Sequence, residues 1–128
     1  MNVILQAQRA YSAARGTTRT PRRIEYEALA RMSSQLRGAA DSGPAGFGAL
    51  AEAVHDNRKL WSVFALHAAS SGNPLPEGLK ANILYLAEFT RQHSSKVLAR
   101  RAGVDPLLDV NAAVMRGLRD GGHERNTG

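Results

Sequence analysis

"PAGFGALAEAVHDNRKLWSVFALHAAS", residues 44–70, places apolar side chains three or four positions apart, which is the spacing of one face of a helix. These apolar positions are Phe47, Leu50, Val54, Trp61, Phe64 and Ala68. Pro44 suits the first helical turn, because proline lacks an amide hydrogen that this turn would leave unpaired. The segment is therefore predicted to form a long amphipathic helix.

Four further segments show the same spacing and are bounded by proline or glycine in the same way. The predicted helices cover residues 2–14, 21–38, 76–101 and 105–120, in addition to 44–70. Pro21, Pro76 and Pro106 lie at helix starts, and glycines that tolerate the left-handed conformation follow the helix ends. These glycines are Gly16, Gly38, Gly72, Gly103 and Gly121. No segment shows the alternation of a strand, so the predicted fold class is all-α with five helices.

The short connections between the long helices favour antiparallel neighbours. We expect the helices from residue 21 onward to form an up-down bundle, with the short helix at residues 2–14 packed across it or mobile. The apolar residues of this first helix are Val3, Ile4, Ala7, Ala10 and Tyr11. Residues 1–120 are predicted to be a single domain, and the polar, glycine-rich residues 121–128 to be a disordered tail.

The composition excludes several classes of protein. The 128 residues include no cysteine, which rules out disulfides and thiolate metal sites. The chain begins without the features of a signal peptide, and it has no apolar run long enough to cross a bilayer. We therefore expect a cytoplasmic protein. The net charge of +6 raises the expectation of an acidic or nucleic-acid partner, and the two ends of the chain carry most of the positive charge.

Three polar residues lie on otherwise apolar helix faces. Asn57 falls between Val54 and Trp61, and His93 and Asn111 occupy equivalent positions in the next two helices. A buried amide without a partner costs about 1 to 3 kcal/mol, so such residues normally bond to one another or to nearby carbonyl groups. The sequence predicts a structural polar cluster of Asn57, His93 and Asn111.

Catalytic and metal sites find no support in the sequence. His55 and Asp56 are adjacent on a helix and point about 100° apart, so they do not face each other. Neither Ser62 nor Ser70 lies in the strand-turn-helix elbow of a hydrolase. No phosphate-binding loop is present, and no histidine spacing places two metal ligands one turn apart. We predict no catalytic residue, no cofactor and no metal ion.

Two kinds of binding surface remain as alternatives. A basic patch of Arg15, Arg19, Arg22 and Arg23 has the charge needed to contact nucleic acid, but no readout element accompanies it. Tyr11, Tyr26 and Met32 flank this patch and are suited to an adaptable protein interface, and Trp61 and Met115 mark a second candidate surface. For any one of these residues, burial in the core is the simpler interpretation.

Several blocks of the sequence resemble FlaF, a family of small flagellar biosynthesis regulators of alphaproteobacteria. The blocks are "TPRRIEYEALARM", "AEAVHDNRKLWSVFA", "GNPLPEGLKANILYLAEFTRQHSSKVL" and "VDPLLDVNAAVMRGL". The similarity runs from Ala10 to about Leu118. Its most specific parts are the Asp56-Asn57-Arg58-x-Leu60-Trp61 block, the Asn73-x-Leu75-Pro76 turn, the Leu86-Ala87-Glu88-Phe89 run and Asn111.

The resemblance implies a non-catalytic protein that acts on flagellin as an export chaperone and promotes flagellin synthesis and secretion. It also implies a functional link to the translational regulator FlbT. The alternative is a basic RNA-binding regulator that acts on the flagellin transcript, although the sequence offers little support for direct RNA binding. Neither interpretation includes membrane insertion or a small-molecule substrate.

Overall fold

The computed structural model describes residues 19–70, 72 and 77–127, and it contains four α-helices and no strand within them. Helix α1 spans Arg19–Asp41, α2 spans Phe47–Ala69, α3 spans Glu77–Leu98 and α4 spans Asp105–Thr127, and a short 3-10 helix, Pro44–Gly46, precedes α2. The predicted all-α class is confirmed. The helix predicted at residues 2–14 lies outside the described residues.

The end of α1 differs from the prediction at Gly38. The helix continues to Asp41 because Ala39 is buried in the core, and this burial outweighs the cost of about 1 kcal/mol for glycine inside a helix. The chain turns instead at Gly43, whose φ of 72° lies in the left-handed region. Pro44 then opens the 3-10 helix, and α2 begins three residues later at Phe47.

Helix α3 ends at Leu98, three residues before the predicted boundary. The amide of Arg100 donates to the carbonyl of Val97, and the amide of Arg101 donates to the carbonyl of Lys96. These two bonds are those of a Schellman motif, with Arg100 in the left-handed position that glycine usually occupies. Gly103 was therefore the wrong marker for this helix end.

Helix α4 continues beyond the expected end at residue 120. Residues 121–127, which we expected to be a disordered tail, extend it to Thr127. Adding a residue to an existing helix forms one hydrogen bond for each residue that is fixed, so two glycines lower the stability of the segment without stopping the helix.

The core contains two apolar clusters. Helix α1 packs against α2 and α4, α2 also packs against α3, and the contact of α3 with α4 is smaller. The first apolar cluster is formed by Leu29, Trp61, Phe64, Ala68, Ile83, Leu86, Val110, Val114 and Leu118. The second apolar cluster is formed by Leu36, Ala39, Ala53, Val54, Val97, Val104 and Leu107. Among the described helices, none is long and apolar enough to cross a membrane.

Candidate partner-binding surface

A polar layer separates the two apolar clusters, and every helix contributes to it. In sequence, each of its members lies between a residue of one cluster and a residue of the other. The members are Ser33, Asn57, Thr90, Ser94 and Asn111, all of them buried. The sequence indicated only the two asparagines. Ser33, Thr90 and Ser94 also follow the core spacing, and that spacing was the signal that would have identified them.

Asn111 is the centre of this layer. Its side-chain oxygen accepts a hydrogen bond of 2.9 Å from the indole N–H of Trp61. Its side-chain nitrogen donates to Asn57 Oδ1 at 2.8 Å and to Ser33 Oγ at 3.2 Å. Asn57 Nδ2, Thr90 Oγ1 and Ser94 Oγ have no hydrogen-bond partner among the described residues. The structure thus brings Asn57 and Asn111 together, and it adds Ser33 and Trp61 to them.

His93 lies away from this layer. Its Nε2 is 2.8 Å from the carbonyl oxygen of Gly103, in the connection between α3 and α4, and its ring stacks on Phe89. The predicted three-residue cluster is therefore incorrect for His93. His93 has the spacing of a core residue, but its imidazole is only half-buried. The ring therefore reaches the connection between α3 and α4 rather than the centre of the core.

Trp61 is a core residue rather than an exposed anchor. Only 2% of its surface is accessible, and its ring packs edge-on against Phe64 at 5.2 Å. Because the indole N–H is bonded to Asn111, both the apolar and the polar part of the side chain are used inside the protein. Trp61 is therefore not available to contact a partner in this conformation.

The remaining predicted binding residues are divided between two places. Tyr26 and Met115 pack against the first apolar cluster and line a groove of about 410 Å³ between α1 and α4, together with Arg37 and Arg116. Met32 is half-buried and does not line this groove. Tyr11 lies outside the described residues.

The basic patch is described only in part. Arg23 is exposed on α1, Arg19 and Arg22 lie in the first two turns of the same helix, and Arg15 lies outside the described residues. His55, near the middle of α2, is exposed, and no group of three or more potential metal ligands occurs in the described part of the chain.

Sequence reasoning missed a set of exposed apolar side chains, which we call the apolar rim. It consists of Ile24 on α1, Val63 and Leu66 on α2, and Leu84 and Tyr85 on α3. Leu66 is 70% exposed and Tyr85 65% exposed. All five residues belong to the helix segments that build the first apolar cluster, and the described residues around the second cluster include no comparably exposed large apolar side chain.

The α2 part of the rim, Val63 and Leu66, lies in a segment that carries no fixed charge. From Leu60 to Pro76 the chain has no Lys, Arg, Asp or Glu, and His67 is its only titratable side chain. The solvent-facing positions of α2 up to residue 59 include Glu52 and Lys59, whereas those after residue 59 include Val63 and Leu66. Solvated helix faces are normally charged, and charge depletion is typical of the centre of an interface. This gap in charge is visible in the sequence, and it was the signal that would have identified the α2 part of the rim.

Comparison with known proteins gives one family. The model of the family "Flagellar protein FlaF" matches residues 7–118, which include the whole polar layer and the whole apolar rim. No curated protein and no solved structure matches the chain.

Proposed function

The chain belongs to the FlaF family of flagellar proteins, and from this premise we propose that it binds flagellin as an export chaperone. In this role it promotes the synthesis and secretion of flagellin without catalysing a reaction. The family is one of flagellar proteins and is not a known family of enzymes.

The apolar rim is the observation that carries this proposal. Monomeric proteins rarely expose large contiguous apolar surface, and exposed apolar residues on one part of a molecule often mark an interaction site. Leu66 and Tyr85 are largely accessible to solvent although both are on well-packed helices. A partner that covered them would gain the free energy of removing apolar surface from water.

The segments of flagellin that become helical in the filament suit this surface. Before assembly such a segment presents an apolar stripe to water, and a chaperone would cover it with apolar side chains of its own. An amphipathic helix is recognised through residues spaced three and four apart. Val63 and Leu66 have this spacing on α2 and form the proposed centre of contact.

Electrostatic attraction would raise the rate at which the chain captures flagellin more than it would strengthen the final contact. The rim segment is uncharged, whereas residues 1–37 carry seven arginines and two glutamates. Such a basic end would attract an acidic partner over a distance of about 10 Å, and added salt would screen that attraction. The groove beside Tyr26 and Met115 is a second surface on which flagellin could extend its contact.

The proposal also includes the arrangement of the helices and the location of the protein in the cell. Leu29 packs with Trp61 and Phe64, whereas Leu36 packs in the cluster that holds Val54. This pairing supports opposite directions for α1 and α2, and we extend it to the predicted antiparallel up-down bundle. The protein would act in the cytoplasm, where flagellin is made before export.

Calorimetric titration of the purified chain with purified monomeric flagellin tests this function. Replacing Leu66 by Gln removes an exposed apolar anchor of the rim, so we expect affinity for flagellin to fall about tenfold, which corresponds to about 1.4 kcal/mol. Lys59→Gln is the matched control, because Lys59 is exposed on the same helix outside the rim. Equal affinities of the two variants, or no binding by the unaltered chain, would reject the proposal.

The RNA-binding alternative makes a separate prediction. It requires that the leader of the flagellin transcript shift in a gel with the unaltered chain and that Arg22→Ala with Arg23→Ala abolish the shift. If the chain bound neither RNA nor flagellin alone, a joint assembly with FlbT and flagellin would be the next arrangement to reconstitute.

A further inference from the structure

The groove between α1 and α4 combines apolar side chains with two arginines. We propose that this groove binds an acidic amphipathic helix of a partner protein, with one carboxylate of the helix on Arg37 and a second on Arg116. The preference for an acidic helix is independent of the proposed function, whereas the assignment of that helix to flagellin rests on it.

The lining of the groove suits such a helix. Arg37 and Arg116 are both exposed, and they are the charged side chains among the described residues that line the groove of about 410 Å³. Neither guanidinium forms an ion pair with a described residue, so both can accept a carboxylate from a partner. Ala30 and Ala112 are small, and they leave room for the backbone of a docked helix to approach closely.

The packing of the two apolar clusters gives the relative direction of α1 and α4. Leu29 of α1 lies in the cluster that holds Val114, and Leu36 lies in the cluster that holds Leu107. The sequence number therefore rises along α1 as it falls along α4. This pairing supports opposite directions for the two helices.

A hydrogen bond in the polar layer then gives the distance between the arginines. Asn111 Nδ2 donates to Ser33 Oγ at 3.2 Å, so these two residues lie side by side. Arg37 follows Ser33 by four residues, and Arg116 follows Asn111 by five residues. On oppositely directed helices the two steps add, which separates the arginine backbones by about 13.5 Å along the groove.

This distance matches the spacing of side chains on one face of a helix. Two acidic residues about two turns apart are separated by about 11 Å, and flexible arginine side chains can cover the difference. Apolar residues between the two acids would then face Leu108 and Met115 in the groove. A nucleic acid could also contact the two arginines, but its bases stack on aromatic rings rather than on side chains such as Leu108 and Met115. The lining therefore favours a protein helix.

A charge swap with a peptide tests the groove without flagellin. The probe is a fluorescein-labelled helical peptide that carries two glutamates about two turns apart and leucines between them on the same face. By fluorescence anisotropy, we expect Arg37→Glu to weaken binding of this peptide about tenfold, because like charges then meet. A peptide with lysine in place of the glutamate that faces residue 37 should recover most of this loss, and each glutamate is replaced in turn.

Arg31→Glu is the matched control for this swap. Arg31 is exposed on the same helix but does not line the groove, so its replacement changes the net charge equally without removing the contact. Equal losses for the two variants, no recovery with either lysine peptide, or no binding of the probe at millimolar concentration would overturn the proposal. Displacement of the probe by an equal concentration of an RNA oligonucleotide would assign the arginines to nucleic acid and overturn it as well.

Calorimetric titration with monomeric flagellin tests whether the docked helix belongs to flagellin. Arg37→Gln and Arg116→Gln each remove one charge pair, so each should lower the affinity about three- to fivefold, and Arg31→Gln should not. Selective binding of the peptide together with unchanged affinity for flagellin would overturn this assignment. An absence of flagellin binding by the unaltered chain would reject the proposed function and leave the peptide experiment to decide the groove.

Discussion

Asn111 connects three other residues, and their hydrogen bonds to it define the centre of the core. It accepts one bond, from Trp61, and donates two, to Asn57 and Ser33. Asn57 is equally inaccessible to solvent, yet it accepts one bond, and its own amide nitrogen has no hydrogen-bond partner in the described part of the chain. The two asparagines therefore contribute differently to stability, although both lie on a core stripe and have the same side chain.

Truncation of the two asparagines should separate their contributions. Asn111→Ala removes three hydrogen bonds and leaves the Trp61 N–H unpaired, and we expect a loss of about 3 to 4 kcal/mol. Asn57→Ala leaves a cavity of similar size but removes one bond together with an amide that was unpaired, so we expect about 1 to 2 kcal/mol. Urea unfolding, followed by the fluorescence of the single tryptophan, measures both. A larger loss for Asn57→Ala would contradict this account of the layer.

The polar layer shows how far residue positions follow from sequence. Helical spacing was enough to place Asn57 and Asn111 inside the core, because each falls between apolar residues of its own stripe. The same spacing was misleading for His93. An apolar stripe is about 100° wide, and a residue at the edge of the stripe can bond to groups outside the core. The partner of His93 is the carbonyl group of Gly103, whose position depends on the path of the connection between α3 and α4. Spacing within one helix carries no information about that path.

Arg100 ends α3 in a conformation that favours glycine. Its φ of 61° is left-handed, which costs an ordinary residue about 1 to 2 kcal/mol. Its guanidinium lies 4.1 Å from the centre of the Phe47 ring, and such a contact at an exposed site contributes about 0.5 to 1 kcal/mol. The contact between the end of α3 and the start of α2 thus offsets part of the backbone cost.

A pair of substitutions measures this compensation. Arg100→Gly removes the cost of the left-handed backbone conformation and also removes the contact with the Phe47 ring. Because these two effects oppose each other, we expect a change in stability of less than about 1 kcal/mol. In a Phe47→Leu background the ring contact is already absent, and the same change should stabilise the protein by about 1 kcal/mol. Thermal and urea unfolding of the four proteins give the coupling. A coupling of zero would show that the ring contact has no energetic role.

Glu88 should titrate at an unusually low pH. Hydrogen bonds from Arg91, at 2.6 and 3.0 Å, and then from Gln92 lower its pKa from 4.5 to about 2. Because the folded pKa lies below the unfolded one, the ion pair contributes stability above about pH 4.5 and loses it as the pH falls toward 2. The group is exposed, so the contribution is small.

NMR titration of the Glu88 carboxyl carbon tests this shift. We expect a midpoint near pH 2 in the unaltered chain and a higher midpoint after Arg91→Gln, which removes the first cause of the shift. Glu88 with a midpoint in the ordinary range of glutamates, or a midpoint that Arg91→Gln leaves unchanged, would show that the pair does not persist in solution.

The helices were predictable as elements, but several of their ends were not. Proline marked the starts to within about three residues, because its lack of an amide hydrogen is a local property. Glycine was less informative, since Gly38 lies inside α1, where burial of Ala39 continues the helix, and α3 ends at an arginine. Helix ends depend on which side chains the neighbouring helices bury, and this is decided by tertiary packing.

The exposed apolar side chains are distributed unequally over the molecule. The polar layer divides its core into two apolar clusters, and the apolar rim belongs to only one of them. Helical periodicity does not reveal the rim, because Leu66 and Tyr85 are off the core stripes of their helices. The uncharged segment from Leu60 to Pro76 does mark the α2 part of the rim, Val63 and Leu66, and this signal is independent of periodicity. The α2 part of the rim was therefore available from charge rather than from spacing.

Hydrogen exchange of the chain, with and without monomeric flagellin, tests the central claim most directly. Binding at the rim should slow amide exchange in residues 60–70 and 80–87 and leave residues 47–56 nearly unchanged, because those earlier residues of α2 belong to the other half of the molecule. Slower exchange confined to residues 47–56, or no change anywhere in the chain with flagellin in excess, would contradict the account.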